Sequence, residues 1–419
     1  MSSNTLYSSA YPAYPAAKTV NCDIIAADGS ICTGCRIGNG KIVPALGGVR
    51  NTACAFTDVK AAGYSAAAGA YFVCADRRVF YSADGLSFSE LAALEGEEPF
   101  IFGQREGAEA KLYAVGDGKC VYFGGGAGGE RAFDCGICGG VIKNGRLFGI
   151  DKDDKFRLCW SGSGGAFDQT EGINGAGWVR LDGAGGEILN LIIYGERLIA
   201  VRENGLSVLS AYGTPENFKA EGKGLNISGI CKNTAAVAGN KLIFCAEGGL
   251  YCYNGAKITH VDCELIEKTE NPVCAAANGG LYLLGVYAKS LERNAVLVYD
   301  TASGLAYFAD APASAIVASG GGIFAYSAGN ACRLARGGTF CFEAAIDFGS
   351  AKQKYLKSLE IAGAEDADIE IFNGRTTRVF KDVKSALPAD MRGVNFTFKV
   401  KGNAEITALR ATAEVLDGI

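Results

Sequence analysis

The chain has 419 residues, 49% of them apolar, with 59 glycines, 8 prolines and a formal net charge of −5. That length suggests two domains, or one large repeat architecture with a small companion. The acidic balance and the lack of clustered Lys and Arg exclude a nucleic-acid footprint and a basic membrane-surface patch, and no apolar run reaches the ~18 residues of a membrane-spanning helix.

Glycine is used at about twice the usual ~7% while proline is scarce, which implies many tight turns of positive φ and fits an all-β chain with short hairpins. Residues 1–17 read as a flexible Ser/Ala/Tyr/Pro arm without the basic and apolar regions of a secretory signal. Synthesis in the bacterial cytoplasm is therefore expected. Tyr7, Tyr11 and Tyr14 are its candidate partner contacts, as sticky aromatics on an arm that orders on binding. Residues 18–48 are expected to supply a strand that closes a ring of repeats and covers a free edge.

The repeat begins next. Strand–turn–strand units start at Tyr71, Leu112, Arg146, Arg197, Lys241, Leu281 and Gly322, with steps of 41, 34, 51, 44, 40 and 41 residues. A period in the low forties with one hairpin per unit suits a four-stranded propeller blade. The strands are apolar on both faces: in "KLIFCAEGGLYCYNG", Leu242 and Phe244 point one way, Ile243 and Cys245 the other. A half-exposed antiparallel strand alternates with polar residues, whereas a blade stacked between two neighbours is buried twice. Further strands precede the hairpins, such as "ILNLIIY" (residues 188–194) and "ISGICK" (residues 227–232). The fold class is all-β: a β-propeller over residues 18–338, seven-bladed with six or eight as the alternatives, because the step of 51 can hide a strand pair.

Three hairpins end in a Ser, then Gly, then an aromatic: "YSADGLSF" at Phe88, "WSGSGGAF" at Phe167 and "LSAYGTPENF" at Phe218. The first resembles the Asp-box turn of sialidase-like propellers, whose Ser and Asp bond the local backbone while the aromatic plugs a gap. That turn is structural.

Chemistry-bearing candidates are few. Cys32/Cys35 and Cys135/Cys138 form two C-x-x-C pairs, which supply four thiolates, but they lie about a hundred residues apart and outside knuckle-like contexts. Most of the 16 cysteines sit in apolar runs and read as reduced core thiols. "GGGAGG" (residues 124–129) lacks the Lys and helix of a phosphate loop. "DKDDK" (residues 151–155) crowds three carboxylates into a turn without the Gly and distal Glu of a calcium loop, so it reads as a solvated turn. The single histidine, His260, has no metal-type or triad-type neighbours in sequence and reads as structural. No catalytic residue, cofactor or metal site is expected.

Residues 140–419 resemble the β-propeller proteins of tailed-phage virions and prophages, of the tail-accessory or stabilisation type. The resemblance is carried by Gly186-Glu187-Ile188, Gly195-Glu196-Arg197-Leu198, Asn204-Gly205, Gly248-Gly249-Leu250-Tyr251 and the later run "AIDFGSAKQKYLKSLEI". It implies a non-enzymatic structural part of a tail or neck, acting by contact with other virion proteins or with itself. The alternatives are a carbohydrate-binding or glycosidase-like propeller, marked by an acidic pocket rimmed with Trp and Arg, and a cytoplasmic interaction propeller of the host.

After Gly338 the period stops. In "VNFTFKVKG", Val394, Phe396, Phe398 and Val400 are expected on one face and Asn395, Thr397 and Lys399 on the other. Residues 339–419 are expected to form a small C-terminal β-sandwich.

Overall fold

The structure is a computed structural model that describes residues 18–416, apart from residues 28–29, 134, 164, 169–172, 212, 248 and 364–365. Tyr7, Tyr11, Tyr14 and Gly248 fall outside the described residues. The chain divides into two compact units: Ala45–Gly338, and Met1–Pro44 together with Thr339–Ile419.

Ala45–Gly338 is a β-propeller. The seven hairpins read from the sequence are the second and third strands of seven antiparallel four-stranded arrays, here called blades one to seven. Their first strands are Val59–Ser65, Phe100–Glu106, Ile137–Lys143, Ile188–Tyr194, Ala236–Ala238, Thr269–Asn278 and Ala315–Ser319. Each first strand packs on the first strand of the next blade, and Ala315–Ser319 packs back on Val59–Ser65, so the ring is closed.

Burial on both faces has the expected cause. In blade four, Leu198, Ala200 and Leu209 join Phe148, Leu158 and Trp160 of blade three in one core. The intervening Ile199, Val201 and Val208 join Leu242, Phe244 and Tyr253 of blade five in the next. The period-2 alternation of a strand therefore divides its side chains between two neighbours rather than between core and water.

Ring closure differs from expectation in extent. The fourth strand of blade seven is Gly47–Ala53, which pairs antiparallel with Asn330–Ala335. The upstream strand Lys18–Asp23 instead pairs with Ala408–Val415 in the other unit. Gly48 shows why the closing strand needs a glycine near its start: a Cβ there would lie 2.5 Å from the Asp310 carbonyl oxygen and 3.1 Å from Cys332 Sγ. The terminal strand does cover an edge, as edge chemistry demands, but only residues 47–53 take part.

Two strand expectations also change. "ISGICK" is a linker, and the first strand of blade five is the short Ala236–Ala238. Gly229 (φ 66°) and Asn233 (φ 61°) take left-handed conformations that interrupt an extended run. The long third step hides no strand pair among the described residues; a loop with one 3-10 turn, Ile173–Gly175, joins Arg157–Trp160 to Gly177–Arg180.

The other unit holds two larger antiparallel sheets and the two-stranded pair of Cys35–Gly38 with Lys41–Pro44. One pairs Lys18–Asp23, Ala408–Val415, Lys354–Ala362 and Leu387–Gly393. The other pairs Ile31–Thr33, Phe340–Ile346, Phe396–Gly402, Ala367–Phe372 and Thr377–Val383. Phe396, Phe398 and Val400 are buried as the alternation requires, but Val394 precedes the strand and is 44% exposed. The Val394 carbonyl accepts a hydrogen bond from the fully buried Lys354 ammonium at 2.6 Å, and this holds the backbone outside the ladder. No described helix is long and apolar enough to cross a membrane.

Candidate binding site at the channel mouth

The first strands line the propeller channel, and four of them are irregular near their starts. Pairing with the second strand shifts register between Val59 and Ala61, Cys138 and Gly140, Ile188 and Asn190, and Glu270 and Cys274. A bulge leaves a residue out of the ladder and re-aims it. The local causes are legible: Gly139 takes φ 65°, Asn271 takes φ 50°, and Pro272 has no N–H to give to a ladder. The residues released, Lys60, Gly139, Leu189 and Val273, line one cavity of about 480 Å³.

Three charged side chains from separate parts of the ring meet at this cavity. Glu98, just before blade two, accepts hydrogen bonds from the ammonium groups of Lys232, in the linker before blade five, and of Lys155, in the central turn of blade three. The Lys155 Nζ lies 3.4 Å from Glu98 Oε1. Burial works against the Glu98 charge, but the hydrogen bond and charge of Lys232, the Cys138 thiol and Lys155 outweigh it and hold the carboxyl below its ordinary value. The Cys138 thiol is pushed up to about 11, first by burial and then by the charge of Glu98. At neutral pH the group is a carboxylate clamped by two ammoniums and a protonated thiol. Glu98 is thus held in its charged form by its neighbours.

Arg77 lies 4.0 Å from Glu97, and Lys60 lies 3.0 Å from Asp58. The described lining contains neither Trp nor Arg.

The sequence candidates lie elsewhere or serve the backbone. In "DKDDK", Asp151 accepts from the Asp153 and Asp154 N–H groups at 2.9 and 3.1 Å, and Asp154 pairs with Arg180. The member that reaches the cavity is Lys155, which in the sequence reads as part of a solvated turn. His260 lies on the fourth strand of blade five, exposed, with its ring 5.2 Å from that of Tyr251 in an edge-to-face contact. Cys32 and Cys35 belong to one compact unit and Cys135 and Cys138 to the other. No group of three or more metal-ligating side chains occurs among the described residues. All sixteen cysteines are thiols.

The Asp-box reading fits the geometry. Asp84 Oδ1 accepts from the N–H groups of Leu86 and Ser87 at 2.8 and 2.7 Å and from the Ser82 hydroxyl at 2.9 Å. Phe88 packs edge-on against Phe56 and against Tyr326 of blade seven. Phe167 lies 5.1 Å from Tyr113 of blade two, and Phe218 lies 5.2 Å from Trp160 of blade three. All three aromatics plug the seam to the preceding blade.

No family model matches the chain, and no curated protein matches it. Among solved structures it is similar to "YCF48 bound to D1 peptide" (13% identity, 68% of this chain and 94% of that one, TM-score 0.46). It is also similar to BBS1N in complex with ARL6DN (11% identity, 69% and 95%, TM-score 0.45). A third similar structure is the extracellular domain of a putative hybrid two-component system from B. thetaiotaomicron, at 8% identity and TM-score 0.49. This chain covers 56% of that domain's length, and 84% of this chain takes part.

Proposed function

We propose that the chain is a non-enzymatic interaction protein whose propeller receives a protein partner at the channel mouth. The carrying observation is the Glu98–Lys155–Lys232 cluster beside a cavity built by four strand bulges. Its charges are fixed and half-exposed, with side-chain exposures of 35% to 44%. Half-exposed ion pairs add little to stability, whereas fixed charges on a concave rim steer and orient a partner.

The setting proposed is a phage or prophage virion, at the tail or neck, with other virion proteins or further copies of the chain as partners. That setting rests on the sequence resemblance over residues 140–419. The test is lysine-directed cross-linking of particles from an induced lysogen, read by mass spectrometry. The chain is expected in the particles, with cross-links from Lys155 and Lys232 to another protein. Absence from the particles refutes the virion setting. Cross-links confined to other lysines refute the channel mouth as the docking site.

A further inference from the structure

Beside the channel mouth, two cysteines 14 positions apart in sequence are held side by side. The Cys231 N–H donates to the Cys245 carbonyl at 2.9 Å. Thr234 clips the same spot: its hydroxyl donates to the Cys231 carbonyl at 2.7 Å and accepts the Cys245 N–H at 3.1 Å. Tyr282 fixes Thr234 in turn, donating to its carbonyl at 2.6 Å. The direct bond and the leg bridged by the Thr234 hydroxyl set the two residues opposite one another on neighbouring antiparallel backbones. Residues opposed in this way are where a disulfide can close. The Cys231 thiol lies 4.0 Å from the Gly229 carbonyl oxygen and the Cys245 thiol 4.0 Å from that of Ala246, and the two thiols are near enough to perturb one another's ionisation.

The partners differ in access. Cys245 is 6% exposed, whereas Cys231 is only half-buried. The hydrogen bond from Cys245 outweighs burial and holds the Cys231 thiol down at about 7, so much of it is thiolate at neutral pH. Cys245 is pushed up by that same hydrogen bond, by burial and by the Cys231 charge. A second pair of neighbouring thiols, Cys32 and Cys35, is 7% and 0% exposed and has no such open member.

We propose that Cys231 and Cys245 form a reversible disulfide within blade five, with Cys231 as the attacking thiol and a low-molecular-weight disulfide as the oxidant. The Cys231 thiolate attacks one sulfur of RSSR, forms the mixed disulfide and releases RS⁻. This removes the hydrogen bond and the charge that kept the Cys245 proton in place. The Cys245 proton passes to RS⁻, the Cys245 thiolate attacks the Cys231 sulfur, and a second RS⁻ leaves and takes up the Cys231 proton from solvent. The protein loses two electrons and two protons, and RSSR becomes two RSH. The bond ties the linker that carries Lys232 to the central hairpin, so oxidation also fixes one wall of the channel mouth. The disulfide itself does not depend on the binding reading.

The test uses the full chain equilibrated in buffers of oxidised and reduced glutathione, followed by differential alkylation and peptide mass spectrometry. Cys231 and Cys245 are expected to lose alkylation together and to appear as one cross-linked pair that dithiothreitol releases. Alkylation of reduced Cys231 is expected to rise with a midpoint near 7, and at pH 7 its larger thiolate fraction, offset by the lower nucleophilicity of a more acidic thiol, leaves it about threefold faster than an ordinary thiol of pKa ~8.5. In Cys245→Ser the glutathione adduct on Cys231 is expected to persist. Wild-type protein that stops at the Cys231 adduct, or that oxidises Cys32 and Cys35 first, overturns the proposal. The wild-type measurements stand even if the variant does not fold. A negative result leaves the cross-linking test of the channel mouth intact.

Discussion

Phe218→Ala tests whether the aromatic after each degenerate turn holds two blades together. Phe218 is 8% exposed and packs with ring centroids 5.7 Å from Phe148 and 5.2 Å from Trp160. A buried aromatic hides ~150–250 Å², worth about 4–6 kcal/mol at ~25 cal/mol/Å² as an upper bound. Alanine keeps the β-carbon, so a loss of about 3–4 kcal/mol is expected, within the range for buried Phe→Ala. The assay is urea unfolding followed by tryptophan emission. The chain has two tryptophans, Trp160 and Trp178, and both lie in blade three, so the signal follows the propeller. With a slope of about 2–3 kcal/mol per molar urea, the midpoint drops by about 1–2 M. Emission also shifts to the red in the native state, because Trp160 loses its neighbour. A midpoint within about 0.3 M of wild type, with unchanged emission, would refute the seam role.

Asp84 supplies a pH prediction. Burial pushes its carboxyl up, but the Ser87 and Leu86 N–H groups and the Ser82 and Ser87 hydroxyls hold it down at about 2, from 3.8. The stabilisation is fully present above 3.8 and is lost as pH falls through about 2. The shift corresponds to about 2.4 kcal/mol unscreened, reduced to about 1 kcal/mol because Asp84 is exposed. Asp84→Asn is expected to lower stability by that amount at pH 7, with the gap from wild type closing between pH 4 and pH 2; a gap independent of pH contradicts the assignment. At the ring seam, Gly48→Ala forces a Cβ to within 2.5 Å of the Asp310 carbonyl oxygen, and overpacking of this kind costs about 1–3 kcal/mol. Faster amide exchange along Asn330–Ala335 reports it, and Gly320→Ala, with open space around its Cβ, serves as the neutral comparison.

The sequence alone determined the repeat. Seven hairpins at a spacing near forty, apolar on both faces, had few ways to be buried other than between two neighbours, and the structure stacks them so. The Asp-box turn was legible too, because Ser82, Asp84 and Phe88 act within a few residues of each other. Strand limits were less so: "ISGICK" has apolar alternation, but Gly229 and Asn233 turn the chain and only Ala236–Ala238 pairs. Val394 continued an alternating pattern beyond the point where Lys354 captures its carbonyl. Only the tertiary structure decided which polar groups meet. Glu98 and Lys232 are 134 positions apart, and nothing local in either segment names the other. Cys231 and Cys245 each read as one more small apolar residue until the linker and the hairpin were laid side by side. The physical reason is the same in both cases. Periodicity and turn chemistry are short-range signals written within a blade, whereas a site in a closed ring is assembled from the ends of several blades by where the ring closes and where its strands bulge.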